Sequence, residues 1–221
     1  MAGLSIKYIT NLLLFALLLA NAACKKEEGL IISGTMTDPN QSIKVVGAMV
    51  EVWTQRIISG VFEANFRLAG EQVTGVDGKF EIKLESENYT GIKLIISKSG
   101  YFGWESLLNL EDFNNNKGHN AEYQLIPKAW LVIHIYNKEP FDFGDYFDIR
   151  LLNPYTNCEE CCKGNDYEFI GMDINQTIEC ISAGHQDLIF QWSKRKNKEQ
   201  VVKTESIFVK ALDTTRIELI Y

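Results

Sequence analysis

The chain has 221 residues and a formal net charge of −7, from 29 acidic and 22 basic side chains. That balance excludes a nucleic-acid binder working by phosphate neutralisation, which needs clustered Lys and Arg. Its apolar content is enough to build buried cores, and only four prolines leave little of it to long disordered tracts.

The first segment reads as an address. Lys7 precedes the unbroken apolar run Leu12–Ala20, and small residues follow at Ala22 and Ala23. A bilayer needs about 20 apolar residues, so a run this short fits a secretory signal over 1–23 and not a spanning helix. Cys24 stands where the mature chain would begin, followed by Lys25-Lys26-Glu27-Glu28. With these residues the segment resembles a bacterial lipoprotein signal, and the tether 24–28 resembles the export tag of Bacteroidetes-type surface lipoproteins. One residue departs from the pattern: Asn21 occupies a position that is usually aliphatic. The resemblance implies that Cys24 is lipidated and that the membrane is a partner through this anchor. It also implies a place in the outer membrane, at the cell surface or on its periplasmic face. Acyl chains hold at about 0.8 kcal/mol per buried CH₂. An ordinary signal peptide cut after Ala20-Asn21-Ala22 is the alternative. Loss of 1–23 removes only Lys7 among charged residues, leaving 21 basic against 29 acidic.

From Leu30 onward the apolar period is two. Lys79-Phe80-Glu81-Ile82-Lys83-Leu84-Glu85 puts Phe80, Ile82 and Leu84 on one side and charges on the other, as a half-buried strand requires. Asp77-Gly78 before it is a turn signal. Further strands are expected at Leu30–Thr37, Ala48–Thr54, Phe62–Thr74, Ile92–Lys98 and Glu122–Ile126. Strands at this spacing indicate an all-β sandwich. Ile32-Ser33-Gly34-Thr35-Met36-Thr37-Asp38, Val46-Gly47-Ala48-Met49-Val50-Glu51-Val52, Thr74-Gly75-Val76-Asp77-Gly78-Lys79-Phe80 and Ser97-Lys98-Ser99-Gly100-Tyr101 together resemble the strands and hairpin of carboxypeptidase regulatory-like domains. Gly75 stands where that family usually has an acid. The resemblance implies a seven-stranded, transthyretin-like Greek key over 29–127. It implies no catalytic residues, because such domains serve as spacers, stabilisers or ligand-contact modules.

The pattern restarts after Pro127, which suits a boundary because proline cannot donate to a ladder. Strands are expected at Trp130–Tyr136, Tyr146–Leu152, Tyr167–Met172, Gln176–Ile181, Asp187–Ser193, Val201–Val209 and Thr215–Tyr221. A second antiparallel β-sandwich over 128–221 follows, in series with the first. The basic stretch Lys194-Arg195-Lys196-Asn197-Lys198 reads as a solvated hairpin turn. With Cys24 set aside, Cys158, Cys161, Cys162 and Cys180 remain. An even count in an exported chain favours disulfides, and four cysteines allow three connectivities. A bond between the adjacent Cys161 and Cys162 would be strained, so one or both should reach Cys158 or Cys180. Free thiols and a four-thiolate zinc site are the alternatives.

Other constellations are sparse. There is no Gly-x-Ser-x-Gly elbow, His-Glu-x-x-His or phosphate loop, and His119, His134 and His185 are scattered; neither an enzyme nor a cofactor is expected. Asp112, Asn114 and Asn116 alternate as calcium ligands do, yet Gly118 falls one place late and Tyr123 stands where a bidentate Glu belongs. Asp142, Asp145 and Asp148 lie among Phe141 and Phe143, a mixture that could hold a sugar by stacking and hydroxyl hydrogen bonds. The function expected is a non-enzymatic, lipid-anchored surface protein that binds protein or glycan. A purely structural spacer or accessory subunit, and a thiol-redox or zinc protein acting through Cys158–Cys180, are the alternatives.

Overall fold

The computed structural model describes residues 29–113, 118–164 and 166–221. The signal segment with Cys24, and Asn114 and Asn116 of the calcium reading, lie outside these residues. Fourteen strands account for most of the chain described. The first seven are β1 (Ile31–Thr37), β2 (Met49–Ile58), β3 (Val61–Val73), β4 (Lys79–Lys83), β5 (Tyr89–Ser97), β6 (Trp104–Leu108) and β7 (His119–Gln124). The second seven are β8 (Lys128–Tyr136), β9 (Tyr146–Leu151), β10 (Tyr167–Ile170), β11 (Asn175–Ala183), β12 (Gln186–Lys196), β13 (Glu199–Val209) and β14 (Thr214–Ile220). No helix among the described residues is long and apolar enough to cross a membrane.

The two halves repeat one topology. In the first, a three-stranded sheet β4-β1-β7 faces a four-stranded sheet β3-β2-β5-β6. In the second, β11-β8-β14 faces β10-β9-β12-β13. Numbered within each half, both orders read 4-1-7 and 3-2-5-6. The strand pairs are antiparallel apart from one in each three-stranded sheet: β1 runs parallel to β7, and β8 to β14. The antiparallel β-sandwich architecture expected from the sequence is the one observed, with one parallel pair added in each half. The parallel pair arises because the last strand of each half lies beside the first, pointing the same way.

Period-two alternation decides what each sheet buries. Ile32 and Met36 of β1, Val50 and Val52 of β2, Phe80 and Ile82 of β4, and Ile92, Leu94 and Ile96 of β5 form the first core. Leu131, Ile133 and Ile135 of β8 pack with Phe147, Ile149, Leu188 and Phe190 in the second. Strand β6 was not expected from sequence, because an edge strand whose residues are only half-buried or exposed carries a weak apolar signal. The basic stretch lies where β12 turns into β13, with Asn197 and Lys198 both at positive φ, as a two-residue type I′ turn requires.

Lysines at corresponding places brace the two halves. Lys98, just past β5, donates to the Val46 carbonyl, and Lys196, the last residue of β12, donates to Asn137 Oδ1 at 2.8 Å. Each ties the end of a strand to the loop after the first strand of its half. The halves meet at a seam. The Asp38 carboxylate, fully buried, lies 2.6 Å from His185 Nδ1, the Phe102 ring stacks on Tyr155 at 4.0 Å, and Asn40 Nδ2 donates to the Gly184 carbonyl.

Gly34 sits where β1 is most crowded. A Cβ there would lie 2.6 Å from the Ala121 carbonyl and from the Tyr123 ring, and 2.8 Å from the Phe80 ring. Backbone cannot yield as a flexible side chain can, so Gly34→Ala is expected to cost about 1–3 kcal/mol. Urea unfolding checks this; an unchanged midpoint would contradict the close approach of β1 and β7.

Candidate functional site

The outer face of β11-β8-β14 carries a concavity. Inward-pointing Leu131, Ile133 and Ile135 of β8 are buried, which sends Trp130, Val132, His134 and Tyr136 outward. Pairing then sets rows across the face. Ile181 and Thr214 flank Trp130, and Glu179 and Arg216 flank Val132. Thr177 and Glu218 flank His134. Trp130, Val132, Glu160, Glu179, Thr214 and Arg216 line a groove of about 450 Å³. Trp130 remains 41% exposed, a large apolar surface left in water at a cost that burial under a ligand would recover.

Glu160 reaches the groove through the cysteines. Cys158 is bonded to Cys161 and Cys162 to Cys180, so the adjacent pair is not bridged. The Cys162–Cys180 bond ties the loop before β10 to β11. There the backbone continues the sheet: Cys162 N–H donates to the Ile181 carbonyl, and Ile181 N–H to the Glu160 carbonyl. The loop therefore covers the edge of β11 and raises a wall beside it. Closing a loop of about 20 residues stabilises by roughly 3 kcal/mol in the chain-entropy model. With these four sulfurs in disulfides, none of the four is a thiolate open to zinc in this state.

Next to the groove, His134 is clamped. Its Nδ1 meets Glu218 Oε2 at 2.7 Å and its Nε2 meets Asn175 Oδ1 at 2.8 Å. Both partners accept, so the protonated ring, which donates from both nitrogens, is favoured. The Asn175 hydrogen bond, and then that of Glu218, raise the His134 pKa against a smaller opposing effect of burial. The other two histidines are also engaged: His119 Nε2 lies 3.0 Å from the Tyr123 hydroxyl, and His185 holds Asp38.

The acidic, aromatic segment is not assembled into one ligand face. Asp145 is fully buried. It accepts from the Phe141 and Asp142 backbone N–H groups and from Asn137 Nδ2. Burial pushes its carboxyl up, but these hydrogen bonds outweigh it and hold the pKa below the usual range. Asp142 accepts from Gly144 N–H and Asp148 from the Ser193 hydroxyl. Phe141 lines a second groove with Lys194, Lys196 and Glu199, while Phe143 is 84% exposed. Asp112 lies in the short 3₁₀ turn Leu110–Phe113.

The groove residues were not singled out from sequence. Trp130 opening a strand that alternates Trp-Val-His-Tyr was the available signal. Glu160, Glu179 and Arg216 carry none until pairing brings them together.

No family model and no curated protein matches the chain. Solved structures overlap it loosely. The Bacillus anthracis TIE protein gives a TM-score of 0.34 at 10% identity over 86% of this chain. The chain spans 33% of that protein's length. Shaft pilin SpaA from Lactobacillus rhamnosus GG gives 0.33 at 8% identity, over 87% of this chain and 97% of the pilin. A streptococcal ancillary pilin gives 0.31 at 9% identity, over 87% of this chain and 62% of the pilin. Overlap at this level carries no argument about function.

His134 yields a pH prediction. Its folded pKa is raised, so its stabilising contribution is complete below the unfolded value of about 6.5. It fades as pH climbs through the folded value. NMR titration should place the His134 midpoint above about 6.5, and Glu218→Gln should lower it. A midpoint unmoved by that substitution would contradict the clamp.

Proposed function

We propose that this chain is a lipid-anchored, non-enzymatic surface protein that binds glycan through the outer groove of its second sandwich. Its modules would be 29–127 and 128–221, tethered through Cys24 and residues 24–28. The observation that carries the reading is the groove itself. An exposed indole forms its floor beside Val132, and the side chains of the flanking Glu160, Glu179 and Arg216 make no ion pair or hydrogen bond with each other or with any other described residue. Sites for small ligands combine an apolar floor with a few convergent polar groups, and aromatic faces stack on the apolar faces of pyranose rings. The anchor rests on the sequence around Cys24, and a surface protein that captures ligand has a use for one.

A second reading has its own observation. The β2–β3 hairpin tip exposes Ile57, Ile58, Val61 and Phe62, each at 41% or more, which favours an accessory subunit docked to a membrane partner. Co-purification of a partner lost with Phe62→Ser, together with silence on glycans, would move weight to it.

Two measurements test the leading reading. On a broad glycan array, the full chain should retain a defined set of glycans and Trp130→Ala should lose that set; retention undiminished by the substitution would overturn the groove. Metabolic labelling with a palmitate analogue should mark the wild type and not Cys24→Ala. Equal label in both would remove the anchor.

A further inference from the structure

The groove is polarised, and its polarity names a ligand. This step rests on the glycan-binding reading above and deepens it. Glu179 on β11 and Arg216 on β14 both pair with Val132 of β8. Their backbones are therefore two strand spacings apart, about 10 Å, with the Trp130 and Val132 floor between them. Glu160 stands on the Glu179 side, because its backbone carbonyl accepts from Ile181 of β11. One bank thus carries two carboxylates and the other a guanidinium, and none of the three makes an ion pair or hydrogen bond among the described residues.

Each bank asks for different chemistry. Ionised carboxylates only accept hydrogen bonds, so the acidic bank suits hydroxyl donors. A guanidinium only donates, and its planar fork matches a carboxylate in bidentate fashion. Neutral sugars satisfy the acidic bank and the indole floor but leave the Arg216 fork with single hydroxyl oxygens. The N–H and C=O groups of β8, which forms the groove floor, are spent in its ladders with β11 and β14. A peptide main chain lying across the Trp130 and Val132 floor would find no backbone partner there, whereas a ligand read by side chains would.

We propose that the groove takes a carboxylate-bearing pyranose, a hexuronate within an acidic polysaccharide. Its carboxylate lies on Arg216, its ring on Trp130 and its hydroxyls on Glu179 and Glu160. A free amino acid would also offer opposite charges to the two banks, but it would fill little of an open groove of about 450 Å³.

The test uses the full chain in calorimetric titration with oligosaccharides of glucuronate, galacturonate and mannuronate, each beside its methyl-esterified form. Esterification keeps the ring and hydroxyls and removes the charge. At least one acid form should bind, and its methyl ester should bind about tenfold or more weakly, as loss of a charge-assisted hydrogen bond predicts. Arg216→Gln should abolish the difference between acid and ester, and Arg216→Lys should keep part of it. All three side chains are exposed, so circular dichroism of each variant should match the wild type. A variant that fails this check is replaced by Arg216→Met. Equal binding of acid and ester, a difference that survives at Arg216→Gln, absence of binding to every hexuronate, or preference for a free amino acid would each overturn the proposal. A neutral glycan bound through Trp130 and indifferent to Arg216 would overturn the acid assignment alone and leave the glycan-binding reading standing.

Discussion

Strand β8 is the part on which the second half depends. It lies between β11 and β14, antiparallel to one and parallel to the other, so it must be paired on both edges before its sheet exists. Leu131, Ile133 and Ile135 supply the centre of the core from one side of that strand. Trp130, Val132 and His134 supply the floor of the outer face from the other. The core and the groove floor are therefore coupled through a single backbone: a one-residue slip of register would exchange the two faces. Fixing the core fixes the groove.

The same constraint explains why each half behaves as a closed unit. The first and last strands of a half are neighbours in space, so the core closes only when the chain has come full circle. That contact is long-range and costly in loop entropy. Disulfides lower part of the cost in the second half, where Cys162–Cys180 also turns a long loop into an additional rung on β11. In the first half no bridge exists among the described residues, and tight packing at Gly34 takes its place.

Much of the fold was legible in the sequence, and the reason is alternation. Phe80, Ile82 and Leu84 advertise a half-buried strand, and Asp77-Gly78 advertises its turn; Gly78 indeed takes positive φ. Strand β6 was hidden because an edge strand buries little. The shared topology of the two halves was hidden for a different reason. The sequence motifs of the first half do not recur as such in the second, although the first loop of each half runs through a proline, Pro39 or Pro140, and holds a buried aspartate, Asp38 or Asp145. The acids at Asp142 and Asp145 looked like ligand groups because composition cannot distinguish a carboxylate facing solvent from one holding backbone N–H groups. The groove was least legible: Trp130, Glu160, Glu179 and Arg216 come together only through strand pairing and a disulfide.

The reading proposed above places recognition on the outer face of β8. The direct test is an NMR chemical-shift map of the isotope-labelled chain with an array-selected glycan. Perturbations are expected to centre on the Trp130 indole N–H and on the amides of Val132, Glu179 and Arg216. Perturbations centred instead on the β2–β3 hairpin tip or on the Phe141 loop, with the Trp130 indole unmoved, would contradict it.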